Sequence, residues 1–80
     1  MSEYKVQSVI IDNKKYDLKK ALEFLIRNNL KYSKVDKTLN YWRFRQLEPA
    51  KLRKEGFNHY ITKDISDGVK FVLGYKLNSA

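Results

Sequence analysis

The residues best suited to chemistry stand in one run, Tyr41-Trp42-Arg43-Phe44-Arg45-Gln46. Side chains alternate along an extended backbone, so Tyr41, Arg43 and Arg45 share one face and Trp42 and Phe44 the other. A guanidinium fork grips phosphate through paired N–H donors, and an aromatic ring gives a base a surface to stack on. A basic, aromatic sheet surface of this kind suits single-stranded nucleic acid. The plainer reading makes Trp42 and Phe44 core residues under a helix and leaves the arginines as a solvated strand face. Lys51, Arg53 and Lys54 follow in the next turn. They either extend a positive groove along a phosphate backbone or simply face water. The candidate nucleic-acid-binding set is therefore Tyr41, Arg43, Arg45, Lys51, Arg53 and Lys54.

Other chemistry finds little support. His59 is the one histidine and the chain has no cysteine. A lone histidine without Cys, His or carboxylate at ligand spacing reads as structural rather than catalytic or metal-binding. The acids are scattered, and Asp64 and Asp67 flank a turn where local bonds to backbone account for them. No spacing matches a metal loop, a nucleophile elbow or a glycine-rich phosphate loop. No catalytic residue, metal ligand or cofactor is expected. Lys14, Lys15, Lys19 and Lys20 form a second basic cluster at a helix start, where an anion could sit, but no glycine-rich loop precedes it.

Charge points the same way as the arginine run. Seventeen Lys and Arg against nine Asp and Glu give a formal charge of +8. Eight of those cations and only two of the acids (Asp36 and Glu48) lie between Lys31 and Lys54, so this stretch carries +6. Such a field draws anionic partners: nucleic acid first, then an acidic protein or an anionic membrane surface. Solubility is the competing use of the charge. No stretch reaches the roughly 20 apolar residues of a transmembrane helix. The N-terminal residues lack the basic-then-apolar order of a secretory signal. Together with the missing cysteine this predicts a soluble, intracellular protein.

The elements that must position these residues are those of one small domain, residues 1–80. Lys5 to Asp12 reads as a strand apolar on both faces near its end, as a strand near the sheet centre would be. Asp17 is a helix N-cap for LKKALEFLIRNNL, in which Leu18, Ala21, Leu22 and Leu25 fall at helical spacing. Asn28-Asn29 supplies the left-handed residue that ends it. Lys31 to Asp36 is a short strand or extended segment, Thr38-Leu39-Asn40 a turn, and Tyr41 to Leu47 a strand. Pro49 opens a short helical turn that Gly56 closes. Phe57 to Lys63 and Val69 to Lys76 are strands joined at Asp67-Gly68. In the last, Val69, Phe71, Leu73 and Tyr75 share one face and Lys70, Val72, Gly74 and Lys76 the other. The expected fold is α+β: one amphipathic helix on a mainly antiparallel sheet of four to five strands, in the order β-α-β-β-β-β. One helix leaves the opposite face to water, a partner or a second copy of the chain.

The segments Val6–Ile11, Leu18–Leu25 and Tyr41–Gln46, with Gly74 in the final strand, together resemble small uncharacterised proteins of bacteriophages and large DNA viruses. Those share a strand, an amphipathic helix and a Tyr-aromatic-Arg-Phe-Arg-Gln strand. The resemblance runs from about Val6 to Tyr75. It implies a viral origin, hence a host cytoplasm or nucleus, and no activity or site residue. Two functions compete. One is a small, non-enzymatic, basic accessory protein that binds nucleic acid. The other is a protein-interaction module, a modulator of a host factor or a homodimeric assembly subunit, which would expose apolar residues such as Tyr60, Val72 or Tyr75.

Overall fold

The fold, in a computed structural model that describes residues 2–77 and the side chains of residues 3–76, is α+β. The elements run β1 (Ser2–Asp12), α1 (Leu18–Arg27), β2 (Val35–Lys37), β3 (Tyr41–Arg45), α2 (Pro49–Lys54), β4 (His59–Ser66) and β5 (Val69–Leu77). The strands form one sheet in the order β2-β3-β1-β5-β4, every neighbouring pair antiparallel. The expected strand number and pairing hold, and β1 is the central strand. The single helix and the order β-α-β-β-β-β need correcting: the turn from Pro49 is a second helix, so the order is β-α-β-β-α-β-β.

A bulge in β1 decides which residues meet α1. The register with β5 slips between Val6 and Ser8, and the backbone amides of Gln46 and Leu47 both donate to the Gln7 carbonyl. The extra residue resets the alternation. Val6 thus shares a face with Val9 and Ile11, while Gln7 and Ser8 turn to the other side. On the first face Val9 lies between Phe44 and Phe71, and Ile11 between Trp42 and Val69. Ala21 and Leu25 of α1 close over them, and all six of Val9, Ile11, Ala21, Leu25, Phe44 and Val69 are fully buried.

Both helices end in the same motif. Asp17 caps α1, its carboxylate accepting from the Lys20 amide at 2.8 Å. At the far end Asn29 takes φ 56°, the Leu30 amide donates to the Leu25 carbonyl and the Asn29 amide to that of Ile26. In α2 Gly56 takes φ 91°, with Phe57 donating to Leu52 and Gly56 to Arg53. This is the Schellman arrangement, which satisfies carbonyls that a helix end leaves open. It makes Phe57 part of the helix stop, which is why β4 begins at His59 and not at Phe57.

The motif folds Phe57 back beside Leu52, and both are buried against Gly74. A Cβ at Gly74 would lie 3.2 Å from Leu52 Cδ1, so any larger residue would press Leu52 back by a few tenths of an ångström. Gly74 points away from the α1 side, as do its neighbours in register, Lys5 and Tyr60. The second face of the sheet is therefore partly covered, at one end, by α2.

Candidate nucleic-acid interface

β3 is held on both sides, Val35 and Val9 standing opposite Phe44. Phe44 is fully buried beneath α1. Trp42 is half-buried there and its indole N–H donates to the Tyr16 carbonyl at 3.0 Å. The alternation then turns Tyr41, Arg43 and Arg45 to the opposite face, in register with Asp12, Ile10 and Ser8 of β1. The two guanidinium groups project together, away from the main core, as the strand pattern predicts.

Their environments differ. Arg43 is exposed and donates to the Gln7 side-chain carbonyl at 3.3 Å, with no ion pair among the described residues. Gln7 is 2% exposed and fixed from two sides: its amide donates to the Leu47 carbonyl at 3.1 Å and its Oε1 accepts from Ser8 Oγ at 2.7 Å. The bulge thus buries an amide that steers Arg43. Arg45 is half-buried, 3.7 Å from Glu48 and 4.0 Å from Asp36. Its charge is partly met within the chain.

Arg45 and Lys51 line a cleft of about 380 Å³ with Lys31, Ser33, Lys34, Gln46, Leu47 and Glu48. The segment after α1 reaches this cleft because Gln46 grips it: its side chain donates to the Lys31 carbonyl and accepts from the Lys31 amide, each at 2.8 Å. A side-chain amide here replaces a strand partner, so Lys31 is held although pairing with β3 starts only at Val35. Glu48, opening α2, accepts from Lys34 at 2.8 Å. That bond, more than the nearby Arg45 charge, holds the Glu48 carboxyl below its ordinary value. Four cations face one acid in this cleft, and Arg53 and Lys54 stand exposed on the same short helix.

Tyr41 belongs elsewhere. It lines a cleft of about 420 Å³ shared with Asp12, Asp64, Asp67, Lys15 and Lys70, where the charges are mixed. The structure thus brings Arg45 and Lys51 together, sets Arg43 beside them on the face of β3, leaves Arg53 and Lys54 on the outer side of α2, and separates Tyr41. Lys31 and Lys34 were signalled by the charge count but not as site residues. Gln7 and Gln46 gave no signal, since amides acquire a role only through their neighbours. In the second basic cluster, Lys15, between β1 and α1, is bonded to Asp67 of the β4–β5 turn, which raises the Lys15 pKa. The Lys20 amide is already capped by Asp17.

A different surface lies beyond the C-terminal end of α1. Ten helical residues span about 15 Å, whereas an eleven-residue strand runs to about 36 Å, so α1 covers only part of β1. Past it Tyr4 and Tyr75 lie with ring centroids 5.6 Å apart, and His59 stacks on Tyr75 at 5.1 Å. His59 is thus engaged by an aromatic neighbour. Among the described residues no group of three or more His, Cys, Asp or Glu is placed to hold a metal ion, and no helix is long and apolar enough to cross a membrane. Compared with known proteins, the chain matches no family model, no curated protein and no solved structure.

Proposed function

We propose that this chain binds nucleic acid, with the phosphate backbone running along the cleft between the β2–β3 edge and α2. One observation carries the reading: of the eight cations of residues 31–54, four meet in one cleft against a single acid, Glu48. Lys31, Lys34, Arg45 and Lys51 line the groove, Arg43 adds a guanidinium aimed by Gln7, and Arg53 and Lys54 continue the positive surface on α2. Phosphates take up such charges and release counterions, which gives affinity without sequence preference. No step of this role needs a catalytic group. The viral accessory role implied by the sequence resemblance is compatible with it.

Fluorescence anisotropy with labelled single- and double-stranded DNA and RNA, at two salt concentrations, tests the reading. Binding is expected to weaken steeply with salt, log K falling by about 0.7 to 0.9 per phosphate contact for each log unit of salt. The double reversal Arg43→Glu with Arg45→Glu should lower low-salt affinity by well over tenfold and reduce the salt slope by about two contacts. Lys63→Glu on β4 should change it little. Unchanged low-salt affinity in a folded double-reversal variant would defeat the proposal.

A further inference from the structure

We infer that β4 pairs edge to edge with β4 of a second copy, antiparallel, about a two-fold axis normal to the sheet. The inference starts from an asymmetry between the sheet's two edges. β2, at one end, has three residues; β4, at the other, has eight. Paired to β5 on one side only, β4 turns a row of backbone N–H and C=O groups outward. Such a row is a template for another strand unless it is guarded.

The guarding of β4 is thin. Its charges are Lys63 and Asp64, and its bulge lies between Asp64 and Ser66, all toward the turn. From His59 to Thr62 it has no Lys, Arg, Asp or Glu, no proline and no irregularity. All eight side chains are exposed, including Tyr60 and Ile61, each at 41%. The aromatic group of Tyr4, Tyr75 and His59 adjoins this same stretch, and Tyr4 is 54% exposed.

Charge selects a second copy as the occupant. A chain of +8 repels its own kind at most approaches. β4 is the exception, because Lys63 and Asp64 cancel, and Asp64 also lies 3.9 Å from Lys70. Joining two chains there sends their basic β2–β3 edges to opposite ends of a continuous sheet. An acidic strand or peptide would instead be drawn to the basic edge. A dyad at Ile61 sets that residue against its copy, Tyr60 against Thr62 and His59 against Lys63, so no like-charged pair stands directly opposite. The α1 helices then lie on the same side of the joined sheet.

Sedimentation equilibrium on nuclease-treated protein, from about 5 µM to 1 mM, reads this directly. The expected result is a mass rising with concentration from 9.6 kDa toward twice that value. Ile61→Lys and Thr62→Pro should each weaken the dimer at least tenfold with unchanged circular dichroism, while Val35→Lys on the opposite edge leaves it intact. If proline unfolds β4, isotope-filtered cross-chain contacts between Ile61 residues of mixed labelled dimers supply the second readout. A monomer at every concentration, which would leave β4 to a foreign strand or to water, overturns the inference. So does a dimer indifferent to Ile61→Lys or lacking those cross-chain contacts. Arg43→Glu with Arg45→Glu should not disturb the dimer, so failure of the nucleic-acid reading is seen separately.

Discussion

The two faces of the sheet bury side chains by different means. Under α1 six apolar residues from four elements, β1, α1, β3 and β5, are sealed from water, none of them from α2. On the far face Leu52 and Phe57 are the only apolar side chains sealed among the described residues, around Gly74, and the lid over Phe57 is made of Lys5 and Lys76, each Nζ 5.1 Å from the ring centroid. The rest of that face is mixed: buried Gln7 and Ser8 joined by a hydrogen bond, then a mostly charged row Asp36–Arg43–Ile10–Lys70–Asp64 running across all five strands. A helix of six residues is too short to persist alone, so α2 exists through its Schellman stop and two side chains. The lesson is a division of labour. One face supplies most of the stability, and the other is left free to present charge.

The largest effects should come from the sealed face. Phe44→Ala is expected to cost about 3–5 kcal/mol, against a total of roughly 4–12 kcal/mol for a chain of this length. Leu52→Ala should cost about 2 kcal/mol, at the low end for leucine, because its cluster is small and can settle. It should also weaken nucleic-acid binding, since it loosens the helix that carries Lys51, Arg53 and Lys54. Urea unfolding and the anisotropy assay check both. Equal losses for the two variants would erase the distinction between the faces.

The helix stops give the next, smaller effect. Gly56→Ala meets no steric bar, its nearest neighbour being Lys76 Cδ at 3.6 Å, but it must hold φ 91°. The backbone alone should then cost about 1–2 kcal/mol. Asn29→Gly relieves a left-handed asparagine at the matching position of α1 and should shift stability by less than about 1 kcal/mol. Thermal unfolding of the pair tests whether α2, rather than α1, depends on its stop.

What the sequence made legible divides along the same line. α1 was readable because its stripe, its Asp17 cap and its asparagine stop all agree over ten residues. The faces of β3 and β5 followed from strict alternation, and the Asp67-Gly68 hairpin from a residue that reaches φ 82° without strain. The far face was not readable. Six residues carry too little periodicity to distinguish a turn from α2. The bulge at Gln7 has no local signature, because it arises from pairing with strands more than thirty residues away. The cationic set was found by counting charge, but its grouping was not: Tyr41 falls among the acids of the other cleft, and Lys31 and Lys34 join through Gln46 and Glu48.

The smallest effect separates the faces by pH. Glu48 and Glu55 both have carboxyl groups held below their ordinary value, Glu48 chiefly by the hydrogen bond from Lys34 and Glu55 by that from Lys5. A carboxyl whose folded pKa is depressed adds stability above its unfolded pKa and loses it as pH falls through the folded one. Both contributions are therefore present at neutral pH and fade below about pH 4.5. Both groups are at the surface, so the change in unfolding midpoint should be slight, and Glu55→Gln should flatten it by removing the tie between β1 and the end of α2. Glu48 has a second consequence. Its protonation releases Lys34 and Arg45 in the basic cleft while nucleic-acid phosphates stay ionised. Affinity should then rise only as pH drops below about 4.5, and Glu48→Gln should show the raised affinity already at neutral pH. Glu55→Gln, which touches the lid over Phe57 and not the cleft, should leave affinity unchanged; if the two variants bind alike, the cleft does not carry the phosphates.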